Sequence, residues 1–198
     1  MVGGWRSFVA VELSKEIAEG VRRIQEDLKE RARGVRWVRP EGIHLTLTFL
    51  GEVYPDRIEG IAHKMEEAVR ETGPFSIGVR GGGAFPNAGN PRVIWVGADD
   101  PSGELRKMQA RVEKGMSELG FTSDGRDYTP HLTVGRLRSG KGKGTVAHAI
   151  EAISECNLGS MEVRKVTLFR SHLSPTGAEY TKIKTVPLGA PLTPDSCP

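Results

Sequence analysis

Two stretches decide the reading: His44-Leu45-Thr46-Leu47-Thr48-Phe49-Leu50-Gly51 and, 87 residues later, His131-Leu132-Thr133-Val134-Gly135-Arg136-Leu137. Strict alternation in the first predicts a half-buried strand. Leu45, Leu47 and Phe49 take one face and His44, Thr46 and Thr48 the other. Gly51 is expected to close it. Upstream, Ser7 to Leu13 reads as a strand, and Ser14 caps a helix over about 15–31 with the apolar stripe Ile17, Val21, Ile24 and Leu28. Val35 to Val38 is a short extended piece. Downstream, Ile58, Ile61, Met65 and Val69 predict a helix over about 55–71, stopped by Gly73-Pro74 and followed by a strand near 75–80. Gly81 to Pro91, rich in Gly, Pro and Asn, is expected to be a loop and a boundary.

The order then repeats. Arg92 to Ala98 is a strand, and Leu105, Met108, Val112, Met116 and Leu119 mark a helix over about 102–119. The second H-x-T strand, a helix at about 145–155 and a strand at about 161–170 complete the pattern. Ile61-Ala62-His63 and Val146-Ala147-His148 lie 85 residues apart at matching places. This predicts an internal duplication, with halves at roughly 6–84 and 91–186 of one bilobal domain spanning 1–198. Two such halves can pack about a pseudo-twofold axis and turn their H-x-T strands into one cleft. Residues 187–198 carry four prolines and are expected to fray.

Composition narrows the class. The 198 residues are 37% hydrophobic and 27% charged, which suits one globular domain or two small lobes sharing a core. There is no apolar run of about 18 residues, and Met1 to Arg6 lacks the apolar region of a secretory signal. Cys156 and Cys197 form neither a disulfide framework nor a metal-ligand spacing, so a cytoplasmic location is the expectation. With 28 basic and 25 acidic residues the net charge is +3, which permits a polyanionic partner without requiring one. Disorder, collagen, coiled coil and membrane spans are excluded.

The motifs carry the chemistry. Residues i and i+2 of a strand share a face, so His44 stands beside the Thr46 hydroxyl and His131 beside that of Thr133. Two imidazoles in one cleft supply a base and an acid near neutral pH, and two hydroxyls supply donors between them. That set suits in-line displacement at phosphorus: one ring takes a proton from the nucleophile and the other protonates the leaving oxygen. Arg136 could add a charge-assisted contact to the phosphate. The bland alternative is two unrelated histidines on half-exposed strands, and the repeated context argues against it.

The same residues resemble the paired signatures of the two-histidine (2H) phosphoesterases, and among them the LigT-like RNA 2′,3′-cyclic phosphodiesterases, once called 2′-5′ RNA ligases. The likeness extends to Arg6-Ser7-Phe8-Val9-Ala10, Trp37-Val38-Arg39-Pro40-Glu41, Val93-Ile94-Trp95-Val96-Gly97, and Leu168-Phe169-Arg170-Ser171 with Gly177 and Tyr180 in a final hairpin. The resemblance implies a bilobal α/β (α+β) fold of mainly antiparallel sheets facing a central cleft, with helices outside. It implies metal-independent, cofactor-free opening of a terminal 2′,3′-cyclic phosphate to a 2′-phosphate. His44 would be the proton donor to the leaving 3′-oxygen and His131 the base that activates water, with Thr46, Thr133 and Arg136 on the phosphate. The expected partner is RNA ending in a 2′,3′-cyclic phosphate, or a small cyclic nucleotide, and a monomer is expected. Ligation of 2′-5′ RNA ends and a non-catalytic RNA- or nucleotide-binding module remain open alternatives.

Other signals are weaker. Gly135 to Lys141 nearly matches a P-loop, but Gly142 stands where Ser or Thr would hold magnesium, so a mobile basic loop is the better reading. Arg138, Lys141 and Lys143 could track an RNA backbone. His63, His148 and His172 read as structural or surface residues. Trp37, Phe49 and Tyr128 could stack a base; for Phe49, on the face away from His44, core packing is expected.

Overall fold

Strand β1 (Trp5–Glu12) is buried on both faces, which places it at the centre of a sheet lobe. Its odd residues Val9 and Val11 enter the main core, whereas Phe8 and Ala10 join Phe169 in a small second cluster on the opposite face. In this computed structural model, which describes residues 3–122, 125, 127–137, 143–174 and 177–189, nine strands form a single curled sheet. After β1 come α1 (Lys15–Arg31), β2 (Val35–Trp37), β3 (His44–Val53), α2 (Ile58–Val69) and β4 (Phe75–Phe85). The second half runs β5 (Val93–Asp99), α3 (Glu104–Glu118), β6 (His131–Leu137), α4 (Lys143–Ile153), β7 (Asn157–Val163), β8 (Lys165–Ser174) and β9 (Gly177–Pro187).

Across the sheet the order is β7-β4-β5-β6-β3-β1-β8-β9, with β2 also beside β6, and the paired strands are antiparallel. The two lobes, β6-β5-β4-β7 and β3-β1-β8-β9, mirror one another about the β3–β6 seam. They do not coincide with the halves of the sequence. Strand β4 closes the first half yet pairs with β5 and β7 of the second, and β8 and β9 return to β1. The helices cross over as well: α1 packs with α4 and on β7, and α3 packs with α2 and on β3. The interleaving commits both halves to one core.

Helix α1 has the bounds its pattern predicts. The Ser14 hydroxyl accepts from the Ile17 amide, and Ile17, Val21 and Leu28 are fully buried. Each contributes roughly 1.5–3 kcal/mol by leaving water. Several boundaries differ from expectation. Strand β3 continues through Gly51, whose φ of +69° absorbs an irregularity against Ser7, and ends at Val53. Strand β4 runs through Gly81, Gly82 and Gly83 where a loop was expected. These glycines serve close packing: a Cβ at Gly82 would lie 2.6 Å from Ile153, and one at Gly83 2.6 Å from Trp95. The expected strand at 161–170 is two strands, β7 and β8, separated by Arg164. The start of the expected tail is docked, with Leu188 buried and the Leu188 and Gly189 amides donating to the Arg164 and Val69 carbonyls; residues 190–198 lie outside the described residues. Among the described residues no helix is long and apolar enough to cross a membrane.

Candidate active site

Strands β3 and β6 meet at one ladder pair, Leu45 opposite Leu132. Both leucines are buried in the main core. The residues flanking them, His44, Thr46, His131 and Thr133, therefore point to the other face. Extending the antiparallel register by one residue sets His44 across from Thr133 and His131 across from Thr46. The two histidines become diagonal neighbours, which in a regular ladder lie about 7–8 Å apart. Past this seam the strands part, and β2 takes the place beside β6, with Arg36 opposite Arg136 and Trp37 opposite Gly135.

The alternation breaks at the same point of both motifs. Against β1, Ala10 pairs with Thr46 and Val9 with Thr48, so Leu47 is an extra residue. Against β5, Trp95 pairs with Thr133 and Ile94 with Gly135, so Val134 is extra. Each bulge reverses the face taken by the residues after it. Phe49 and Arg136, each five positions after its histidine, thereby swing onto the histidine face. Phe49 is 62% exposed, and its ring centroid lies 6.0 Å from that of Phe8. The expectation that Phe49 faces away from His44 into the core is thus corrected, and the bulge is the reason.

Both rings are anchored alike. Nδ1 of His44 lies 2.8 Å from the Gly42 carbonyl oxygen, and Nδ1 of His131 lies 2.7 Å from that of Thr129. A carbonyl only accepts, so each Nδ1 carries a proton and Nε2 is the atom free to exchange one. Their surroundings differ. His44 stacks on Phe8 with centroids 4.4 Å apart and meets the edge of Tyr180 at 5.1 Å, while His131 meets Phe85 edge-on at 4.9 Å. The final hairpin closes directly on the first motif, since a Cβ at Gly42 would come within 3.0 Å of the Tyr180 ring.

Burial pushes the His44 pKa down to about 4, against a partial rise from the Gly42 hydrogen bond, and the charges of Arg136 and His131 lower it further. His131 is lowered too, first by burial and then by Arg136. The strand register sets His44, Thr133 and Arg136 on one face with His131 and Thr46.

The remaining candidates fall elsewhere. Trp37 packs on the main core, against the site where Gly135 lacks a side chain. The Tyr128 hydroxyl donates to the Thr46 carbonyl at 3.2 Å, so this residue ties one motif to the approach of the other. His63 pairs with Glu67 on α2, and His148 and His172 are exposed. Arg138 and Lys141 lie outside the described residues, and Lys143 begins α4. Among the described residues no group of three or more His, Cys, Asp or Glu is placed to hold a metal ion. Sequence reasoning missed the aromatic walls and the outward turn of Phe49. A glycine inside each strand, Gly51 and Gly135, was the available hint of irregular pairing.

The class of protein is set by a curled antiparallel sheet that carries two such histidine strands side by side at its seam. A family model described as LigT like Phosphoesterase matches the chain twice in tandem, over residues 11–95 and 96–180. The chain is 36% identical over 179 residues to a Methanothermobacter thermautotrophicus protein named RNA 2′,3′-cyclic phosphodiesterase, covering 90% of this chain and 96% of that one. A Thermus thermophilus crystal structure superposes with a TM-score of 0.79 at 28% identity, covering 93% of this chain and 98% of that one. The structure of Escherichia coli LigT complexed with 3′-AMP superposes at 0.74 with 25% identity, covering 94% and 99%. The chain belongs to the LigT-like phosphoesterase family.

Proposed function

We propose that this protein is an RNA 2′,3′-cyclic phosphodiesterase that opens a terminal cyclic phosphate to a 2′-phosphomonoester. The observation that carries the reading is the pair of Nδ1-anchored imidazoles sharing one face with Thr46, Thr133 and Arg136. The names carried by similar proteins support it. Nε2 of neutral His131 takes a proton from water as the water oxygen bonds to phosphorus. The bond from phosphorus to the 3′-oxygen breaks in line, and protonated His44 supplies that oxygen with its proton. Thr46, Thr133 and Arg136 hold the non-bridging oxygens, where charge builds in the transition state. The donor role goes to His44 and the acceptor role to His131, as the family resemblance implies; burial lowers both rings, so the reactive protonated form of His44 is a strong acid. Phe49, exposed on the same face, is proposed as the platform for the base of the terminal nucleotide.

The test is incubation with an oligonucleotide ending in a 2′,3′-cyclic phosphate. The expected product ends in a 2′-phosphate, and Phe49→Ala should raise KM more than it lowers kcat. A 3′-phosphate end would overturn the assigned geometry. An oligonucleotide offered with a 5′-hydroxyl partner and joined faster than it is hydrolysed would favour ligation, which uses the same atoms in reverse. A chain that binds the cyclic end without opening it would be a binding module.

The pH dependence follows from the lowered pKa values. The reactive form needs His44 protonated and His131 neutral, so kcat/KM should be bell-shaped. Both rings of the free protein titrate below the ordinary 6.5, so its maximum is expected on the acid side of that value. A bound phosphate anion favours both imidazolium forms, so the maximum of kcat should lie higher. Initial rates at low and saturating substrate from pH 4 to 9 check this. A kcat/KM maximum above pH 6.5 would contradict the effect of burial.

A further inference from the structure

We infer that Gln25 and Gln109 are paired positioning residues, each holding from the helix side of the sheet the bulge that turns Arg136 or Phe49 into the cleft. Gln25 lies on α1 and is fully buried, and its Nε2 donates to the carbonyls of Val134 at 2.7 Å and Val38 at 2.8 Å. Val134 is the extra residue of the β6 bulge, and its carbonyl also accepts the Val38 amide at 3.0 Å. Gln109 lies on α3, buried, and its Nε2 approaches the Leu47 carbonyl at 3.4 Å and the Glu113 carboxylate at 2.9 Å. Leu47 is the extra residue of the β3 bulge. The two glutamines stand 84 residues apart, close to the 87 that separate the histidines. Each crosses to the motif of the other half.

A bulge withdraws a backbone carbonyl from the regular ladder and leaves it seeking a donor. At the buried Val134 carbonyl the Gln25 side-chain amide is a second donor beside the Val38 backbone amide, and at the Leu47 carbonyl the donor is the Gln109 side-chain amide. Packing alone does not account for the choice. Among the described residues the Gln25 Oε1 is buried without a hydrogen-bond partner, a cost that Leu or Met at the same position would avoid. The amide is retained as a donor to two carbonyls, one just after Thr133 and the other on the approach to His44. If that donor is lost, the β6 bulge can relax, and Arg136 loses the backbone turn that presents it beside Thr133. The predicted coupling is therefore specific: Gln25 acts through Arg136, and Gln109 acts through Phe49.

The inference rests on the proposed reaction for the meaning of the cleft, and a double-mutant cycle tests it on the full chain. Gln25→Met keeps the volume and removes the donor. It is expected to lower kcat/KM for a cyclic-phosphate oligonucleotide on the order of tenfold, and to add little to the loss already caused by Arg136→Ala. Combined with Phe49→Ala, the same substitution should multiply the losses. Gln109→Met should show the converse pattern, coupled to Phe49→Ala and independent of Arg136→Ala. Wild-type kinetics in Gln25→Met, or losses that multiply with Arg136→Ala, overturn the proposal. If Gln25→Met fails to fold, Gln109→Met decides; failure of both to fold assigns the glutamines to stability alone and also overturns it. A wild-type chain that leaves the cyclic phosphate intact would refute the functional reading only. The cycle is then run on the Kd of inorganic phosphate with Gln25→Met and Arg136→Ala, where loss of coupling again rejects the proposal.

Discussion

His44→Ala and His131→Ala are each expected to lower kcat/KM for a cyclic-phosphate end by about 10²–10⁴-fold, the usual worth of one general acid or base. The reason lies in the anchoring. Each ring spends Nδ1 on a carbonyl two residues upstream, so each offers a single exchangeable nitrogen and neither can perform both proton transfers. The variants should differ in pH dependence. Without His44 the reaction no longer needs a protonated ring, and the alkaline fall in rate should vanish. Without His131 no ring must be neutral, and the acid fall should vanish. The double variant should lose less than the product of the single losses, because the two groups act on one transition state. Rates from pH 4 to 9 for the three variants measure all of this. Full activity in either single variant would end the paired-histidine mechanism.

Arg136→Ala is expected to cost about 10²–10³-fold in kcat/KM, comparable to removing one donor from a preorganised oxyanion site. The bulge at Val134 puts Arg136 on the same face as Thr133, where its charge already lowers both histidines. The substitution therefore has a second expected signature. With the cation gone, both rings become easier to protonate, and the kcat/KM maximum should move to higher pH. Arg136→Lys keeps the charge and loses the planar fork, so it should leave the pH maximum near the wild-type position while recovering only part of the rate. Unchanged kinetics in Arg136→Ala would remove the residue from the site, and a loss of rate without a pH shift would separate it from the histidines.

How much of this was legible in the chain differs from element to element. Helix α1 was readable to its bounds, because Ser14 and the Ile17, Val21, Ile24 and Leu28 stripe are local signals that tertiary packing reinforces. The strands bearing His44 and His131 were readable for the same reason, and their duplication pointed to one shared site. The run of glycines from Gly81 reads as a loop in the chain and is a strand in the fold, because a glycine that makes room for Trp95 cannot be told from one that makes a turn until Trp95 is placed beside it.

The sequence by itself determined the class of the protein: the repeated His-x-Thr strand and its flanking segments carry the LigT-like signature in each half. Only the tertiary structure decided how the repeat is used. Strand exchange between the halves and the crossed docking of α1 and α3 depend on long-range pairings that no local pattern encodes. The outward turn of Phe49 and Arg136 depends on one residue too many in each strand relative to its neighbour. A bulge is a property of two strands in register, and a single strand, read alone, continues to alternate.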